Sequence, residues 1–138
     1  MNIPPIRNVI ALLTNQCNCA CPYCFEGRSP ERMTLGTAKD ILNFVNAGNQ
    51  SGFTFFGGEP MLEFESLMVP LVEYSEQSGV RTRFAMTTNG TLLDKERIDW
   101  LVDNDIRFML LFDGNRETQE ISRPLRIKES SFDVIMSF

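Results

Sequence analysis

Four cysteines lie within eight residues of sequence, at Cys17, Cys19, Cys21 and Cys24. In a chain of cytosolic character such clustering favours metal binding over disulfides. Cys17, Cys21 and Cys24 have the spacing C-x3-C-x2-C, with Tyr23 directly before the last cysteine. Three thiolates on one short loop can hold three irons of a cubane cluster and leave the fourth iron open to a small molecule. A structural zinc site that uses all four cysteines is one alternative, and a reactive thiol without metal is another.

Two turns further along the chain carry groups that could contact a ligand. Residues 57–60 have the sequence Gly-Gly-Glu-Pro. The glycines would let the backbone approach a ligand closely, and the carboxylate of Glu59 could accept hydrogen bonds from an ammonium group. Residues 87–90 have the sequence Thr-Thr-Asn-Gly and include the amide of Asn89. The alternatives are an ordinary strand-to-helix turn and an ordinary Asn-Gly turn, neither of which needs a ligand.

Composition excludes several kinds of site. The 138 residues carry 13 basic and 18 acidic side chains, a net charge of −5, without a polybasic block. We therefore expect no binding to nucleic acid and none to a membrane. The chain contains no histidine, which excludes a Ser-His-Asp triad and any histidine-ligated zinc or haem site. No stretch has the length of a membrane span and the N-terminus lacks the pattern of a secretory signal, so the predicted location is the cytoplasm.

Apolar segments with the lengths of buried strands recur along the sequence. The predicted strands are Asn8–Leu13, Gly52–Phe56, Thr82–Thr87 and Ile106–Phe112. They alternate with helical patterns, which predicts an α/β fold with a parallel sheet and right-handed crossovers. Each polar motif follows a strand directly. In parallel α/β architectures the site lies at that edge, so we expect the motifs to meet there.

The helical segments have recognisable starts and stops. Thr34 is the predicted N-cap of a helix that runs through Val45 and stops at Gly48. Pro70 is expected to kink a helix over Phe64–Gln77 or to delay its start. The remaining starts are Asp94, predicted to cap a helix over Lys95–Asp103, and Ser131, predicted to cap a helix that the chain end interrupts at Phe138. The segment between Gly114 and Ser131 is predicted to be a polar stretch without a helix.

Taken together, the motifs resemble those of radical S-adenosylmethionine enzymes. The resemblance implies that Cys17, Cys21 and Cys24 ligate a 4Fe–4S cluster whose open iron chelates S-adenosylmethionine. It also implies reductive cleavage of that cofactor to a 5′-deoxyadenosyl radical, which abstracts hydrogen from a substrate. The implied fold is a partial (β/α) barrel, of which this chain holds about four of the six βα units.

The same resemblance assigns further residues to the cofactor. Gly57, Gly58 and Glu59 match the GGEP motif that binds the amino group of S-adenosylmethionine, and Asn89 lies in a turn that faces the cofactor in relatives. Arg123 matches an arginine that pairs with the cofactor carboxylate, a task that suits a guanidinium fork. A solvated loop arginine is the alternative. One departure is Leu111, which stands where relatives have a serine, and it removes an expected hydrogen bond to the cofactor.

The resemblance extends from about Ile10 to Phe138 and is closest to peptide and sulfatase maturases that carry a SPASM domain. It implies a peptide or protein substrate and an electron donor such as a flavodoxin or ferredoxin. Residues 1–138 are expected to form an incomplete core domain, from a fragment, a split gene or a truncated relative. The alternative function is a non-catalytic module that binds a cluster or a peptide and needs a second chain to complete the barrel.

Overall fold

The computed structural model describes residues 6–27, 29–46 and 51–138. Within them the strands form a single parallel sheet of four strands in the order β1-β2-β3-β4. The strands are β1 (Asn8–Thr14), β2 (Ser51–Gly57), β3 (Thr82–Thr88) and β4 (Arg107–Leu110). The predicted α/β class with parallel strands is therefore confirmed. The sheet is open, since β1 and β4 are its edges within these residues.

One face of the sheet carries the hydrophobic core. Alternate residues of β2 and β3 point to this face, and the Phe55 and Phe84 rings stack there with centroids 5.3 Å apart. The helices cover it, and Phe53 and Phe55 are completely buried. On the opposite face, Ile10 of β1 and Met109 of β4 are 64% and 59% exposed. The sheet is thus packed on one side and open on the other.

Five α-helices accompany the strands in the part of the chain that the structure describes. They are α1 (Leu35–Asn46), α2 (Val69–Gln77), α3 (Lys95–Asp103), α4 (Arg116–Ser122) and α5 (Ser131–Met136). Two starts agree with the sequence: Thr34 Oγ1 accepts from the N–H of Thr37 at 3.1 Å, and Asp94 Oδ1 accepts from the N–H of Arg97 at 2.8 Å. The predicted stop at Gly48 lies outside the described residues. Among the helices described here, none is long and apolar enough to span a bilayer.

The segment after β2 is more irregular than the single helix predicted over residues 64–77. A 3-10 turn at Pro60–Glu63 leads into a π-helical turn at Phe64–Met68, and α2 begins only at Val69. Pro70 lies in the first turn of α2, a position in which proline is tolerated. The proline therefore delays the start of the regular helix, which is one of the two outcomes predicted from the sequence.

Three expectations for the last third of the chain were wrong. Strand β4 covers only Arg107–Leu110, because residues 111–113 leave the ladder after the Leu111 N–H donates to Thr88 O at 2.9 Å. The supposed polar stretch contains α4, which Asn115 caps by accepting from the N–H of Thr118. Helix α5 is capped by Ser130 and not by Ser131, and it ends at Met136.

Candidate cluster and cofactor site

The polar motifs meet at the carboxyl edge of the sheet, around a cavity of about 180 Å³. All eight residues predicted as cluster ligands or cofactor contacts line it: Cys17, Cys21, Cys24, Gly57, Gly58, Glu59, Asn89 and Arg123. Cys19, Tyr23 and Leu111 line it as well. The fold thus brings together residues that are more than 100 positions apart in sequence. Their roles as cluster ligands and cofactor contacts stay predictions.

Segment 124–126, which follows α4, fixes the first half of the cysteine loop from outside. The Ala20 N–H donates to Pro124 O at 2.8 Å, and Cys19 forms an isolated antiparallel bridge with Leu125. Nε of Arg126 donates to the carbonyl oxygen of Cys17, also at 2.8 Å. These contacts leave the thiols of the loop on the cavity side. The sequence did not predict a role for this segment, because most of these contacts join backbone atoms and therefore leave no pattern in the residue types.

Asn89 holds the same loop from the side of β3. Its Nδ2 donates to Asn18 Oδ1 at 2.9 Å and to Cys19 Sγ at 3.2 Å, and it lies 3.8 Å from Cys17 Sγ. Its Oδ1 accepts from the backbone N–H and the hydroxyl of Thr91. The Asn89 side chain is therefore occupied by the cysteine loop and by its own turn. Its visible task in this structure is to position the loop.

The thiols differ in their readiness to ionise. The Cys19 side chain donates to Cys17, and this lowers the pKa of Cys17 to about 6; the Cys19 N–H and Asn89 act in the same direction, against burial. The same contact, together with burial, raises the pKa of Cys19. Burial also raises the pKa of Cys21. Because a thiolate is the form that binds metal, the surroundings of Cys17 favour metal binding more than those of Cys19 and Cys21 do.

A zinc site would need its ligands to converge on one point about 2.3 Å from each sulfur. Among the described residues, no three His, Cys, Asp or Glu side chains converge in this way. A cubane distributes its irons over separate corners, so its thiolates line a cavity without meeting at a point. Cys17, Cys21 and Cys24 all line the cavity, as ligands of a cubane would have to.

The two glycines of the turn after β2 have a packing reason that the sequence did not reveal. The Gly58 N–H donates to Thr14 O at 2.8 Å, and the Glu59 N–H donates to Gln16 O at 2.9 Å. A Cβ on Gly57 would collide with Thr14 O, and one on Gly58 with Gln16 O. Gly57 also has a φ of +133°, which side chains rarely tolerate. The glycines thus let this turn lie directly on the chain that enters the cysteine loop.

Glu59 is 1% exposed and forms a wall of the cavity. Its carboxylate accepts from the Thr88 hydroxyl at 2.7 Å, the Asn89 N–H at 2.8 Å and the Met61 N–H at 3.0 Å. Burial raises the pKa of Glu59 to about 7, although these three donors favour the charged form. A cation placed beside Glu59 would favour its ionised form, so the group suits an ammonium ligand.

Arg123 lies at the end of α4 and contributes to the opposite part of the lining. Its Nε donates to Asp113 Oδ2 at 2.9 Å, and the guanidinium carbon lies 5.6 Å from the ring centre of Tyr23. The side chain is only 14% exposed. Arg123 is therefore a fixed cation at the cavity and not a solvated loop residue, which was the alternative considered from the sequence.

Leu111 brings an apolar side chain to the cavity at the position where a hydroxyl was expected from the resemblance. Phe25 also reaches the lining but is 86% exposed. The three thiols predicted as ligands, a fourth thiol at Cys19, a buried carboxyl and a guanidinium held by Asp113 therefore line one small cavity. This donor set fits a cubane cluster together with a ligand that has an ammonium and a carboxylate group.

Comparison with protein families gives the decisive match: the model of the radical SAM superfamily matches residues 12–138. The chain belongs to the radical SAM superfamily. Its cofactors are accordingly a 4Fe–4S cluster and S-adenosylmethionine, in agreement with the resemblance noted from the motifs. The superfamily consists of enzymes, and the open sheet of four parallel strands corresponds to its partial barrel.

Several relatives are similar over almost the whole chain. An uncharacterised protein of Methanocaldococcus jannaschii is 31% identical over 135 residues, covering 94% of this chain and 46% of the relative. A cysteine-type anaerobic sulfatase-maturating enzyme of Clostridium perfringens is 27% identical, covering 88% of this chain and 36% of the enzyme. The chain thus spans about a third to a half of the length of these curated relatives.

Solved structures give the same result. Native anSMEcpe with bound AdoMet and Cp18Cys peptide superposes with a TM-score of 0.79 at 28% identity, covering 97% of this chain and 38% of that one. SuiB of Streptococcus suis bound to its precursor peptide SuiA gives a TM-score of 0.70 at 21% identity, covering 88% of this chain and 28% of that one. The second likeness concerns the fold alone.

Proposed function

We propose that this chain carries the cluster and cofactor site of a radical S-adenosylmethionine enzyme that modifies a peptide or protein. One observation supports this most strongly: Cys17, Cys21, Cys24, Glu59 and Arg123 line the same cavity at the carboxyl edge of the sheet. When bound, the cluster would supply the electron for reductive cleavage of S-adenosylmethionine, the chemistry needed for hydrogen abstraction from a substrate. The protein supplies ligands, orientation and exclusion of water.

The residues divide these tasks by their chemistry. Cys17, Cys21 and Cys24 would hold the cluster through their thiolates, and no protein thiolate is assigned to its fourth iron. Glu59 accepts hydrogen bonds from the ammonium group of the cofactor, because it is the buried carboxyl of the lining. Arg123 takes the carboxylate through its terminal nitrogens, while its Nε stays on Asp113. Gly57 and Gly58 keep the turn of Glu59 against the cysteine loop.

The substrate is proposed to be a peptide. Two considerations support this: the sulfatase-maturating relative acts on a protein, and anSMEcpe was solved with a bound peptide. Thr87 lines the cavity at the point where the open face of the sheet meets it. From there the open face extends to the exposed side chain of Ile10. An electron donor such as a flavodoxin or ferredoxin is proposed as a further partner.

The decisive experiment is electron paramagnetic resonance on anaerobically reconstituted, dithionite-reduced protein, with and without S-adenosylmethionine. A 4Fe–4S signal that changes on addition of the cofactor supports the proposal. Matched variants give the ligand assignment: Cys17→Ser, Cys21→Ser and Cys24→Ser should lose the signal, whereas Cys19→Ser should keep it. Retention of the signal in any of the first three variants would contradict the assignment.

A second candidate function is a non-catalytic module that binds the cluster or a peptide and needs a partner chain. Leu111 in the cavity and the open edge at β4 favour it, because both would weaken a self-sufficient cofactor pocket. Formation of 5′-deoxyadenosine under reducing, anaerobic conditions separates the two: product supports the enzyme, and a bound cluster without product supports the module. Metal analysis of the purified protein covers the zinc alternative, since a cubane contains iron and sulfide.

A further inference from the structure

The fixed position of Arg123 depends on contacts that neither the motifs nor the proposed function explains. Arg123 is the residue that ends α4, and its N–H donates to the backbone oxygen of Gln119 at 2.8 Å. Its side chain turns towards Asp113, whose Oδ2 accepts from Nε at 2.9 Å. Among the residues that the structure describes, Nε is the guanidinium atom of Arg123 that donates to a protein acceptor.

Asp113 is itself held in place by Gln119. The Asp113 N–H donates to Gln119 Oε1 at 3.0 Å. Gln119 is completely buried, and its Nε2 lies 3.5 Å from Ser131 Oγ at the start of α5. The fully buried amide of Gln119 thus connects the segment after β4 with α4 and α5. The three residues thus form a connected network, Gln119–Asp113–Arg123.

This network determines which guanidinium atoms are available to a ligand. An arginine has five N–H donors in a rigid planar fork. With Nε on Asp113, the terminal nitrogens form the part of the fork that can bind a second carboxylate with two parallel hydrogen bonds. The side chain is 14% exposed, and the Tyr23 ring lies 5.6 Å from the guanidinium carbon. These contacts restrict rotation of the guanidinium out of that orientation.

We propose that Asp113 and Gln119 are positioning residues that hold Arg123 so that its terminal nitrogens receive the carboxylate of S-adenosylmethionine. The inference rests on the proposed function, in which Arg123 binds that carboxylate. Asp113 accepts from Nε and fixes the plane of the guanidinium. Gln119 fixes the Asp113 backbone and forms part of the helix that ends at Arg123.

The test is a double-mutant cycle on the cluster-loaded, reduced protein. The dissociation constant of S-adenosylmethionine is measured from the change of the cluster signal in electron paramagnetic resonance. Asp113→Ala should weaken binding about tenfold, which corresponds to one hydrogen bond to a charged group. Asp113→Asn retains an acceptor for Nε of Arg123 and should therefore lose less affinity for S-adenosylmethionine. In an Arg123→Ala background, Asp113→Ala should have less than about a twofold effect, because its partner is gone.

Two controls separate positioning from general loss of structure. Asp133→Ala removes the Arg116–Asp133 ion pair, which has the same chemical type but joins α4 to α5 on the surface, so cofactor affinity should be unchanged. Decarboxylated S-adenosylmethionine lacks the group that Arg123 binds, and Asp113→Ala should leave its affinity unchanged. Gln119→Met keeps a side chain of similar length but removes the oxygen that accepts from the Asp113 N–H. Like Asp113→Ala, it should weaken S-adenosylmethionine binding.

The outcomes are distinct. Equal losses from Asp113→Ala with and without Arg123, or an equal loss for the decarboxylated cofactor, would overturn the positioning role. Tighter binding in Asp113→Ala would also overturn it, because Asp113 would then compete with the cofactor carboxylate. If the unaltered protein holds a cluster whose signal ignores S-adenosylmethionine, the proposed function itself fails. That result is recognised before any variant is made.

Discussion

At the scale of single residues, Glu59 has the most unusual environment in the site. It is a carboxyl group that is 1% exposed, and three donors from β3 and its own turn hold it. Burial disfavours the charged form more than these donors favour it, so the pKa of Glu59 is raised to about 7. A group of this kind gains most from a cation, which is the role proposed for it.

The raised pKa of Glu59 predicts a pH dependence of stability in the cluster-free protein. The folded state holds the proton more tightly than the unfolded state, in which the pKa is near 4.5. Stabilisation by protonated Glu59 is therefore complete below about pH 4.5 and is lost as the pH rises to about 7. The loss is on the order of 3 kcal/mol.

Glu59→Gln should remove this dependence. Urea unfolding at several pH values gives the unfolding free energies of the wild type and the variant. We expect the wild type to lose stability relative to the variant as the pH rises from 4.5 to 7. Glu65→Gln, at an exposed position of the π-helical turn, is the matched control and should show no such trend. If the unfolding free energies of the wild type and Glu59→Gln changed in parallel with pH, the raised pKa of Glu59 would be contradicted.

At the scale of elements, the site is assembled by turns that contact one another through their backbones. The turn after β2 lies on the chain that leaves β1, the turn after β3 holds the cysteine loop through Asn89, and segment 124–126 closes the loop from outside. The cavity therefore depends on how closely these turns approach. Gly58 is the position where that approach is closest to its steric limit.

Gly58→Ala should destabilise the fold by about 1–3 kcal/mol, the usual cost of a methyl group forced into packed surroundings. The new Cβ would meet Gln16 O, which is backbone and cannot rotate away. Because Gln16 directly precedes Cys17, we also expect less iron bound per chain after reconstitution. Thermal unfolding and iron content measure the two effects.

Gly27→Ala is the matched control, since nothing lies within 4 Å of a Cβ at that position. It should change stability by less than about 0.5 kcal/mol. If Gly58→Ala were as stable as Gly27→Ala and bound as much iron, the close approach of the two turns would not matter for the site.

Elements were predictable from the sequence where apolar periodicity determined them, and were missed where tertiary contacts did. The strands and α3 follow from hydrophobic runs and from the cap at Asp94. Helix α4 escaped prediction because it is short and mostly polar, and because its buried residue is Gln119, a polar side chain that hydropathy assigns to the surface. Seven of the eight predicted site residues share one cavity because strand-end motifs in a parallel sheet share one edge, and Arg123 reaches the same cavity from the end of α4.

At the scale of the whole molecule, the chain is a sheet with one covered and one open face. Ile10 and Leu12 of the edge strand β1 are 64% and 46% exposed on the open face, and Met109 of β4 is 59% exposed. Apolar surface on an edge strand favours association with other chains. The net charge of −5 opposes such contact only weakly at physiological salt.

The chain in isolation is therefore expected to self-associate as its concentration rises, and Ile10→Lys should shift the equilibrium towards monomer. A lysine on an edge strand places a charge where a second sheet would have to pack. Val102→Lys is the matched control: Val102 is 68% exposed on α3, away from the open face, and the substitution changes the net charge by the same amount. Sedimentation velocity over a concentration series measures both variants.

Equal shifts for the two would mean that net charge governs association. A shift confined to Ile10→Lys would mean that the open face is the contact surface, and the same face would then be the place to look for a peptide that reaches the cavity.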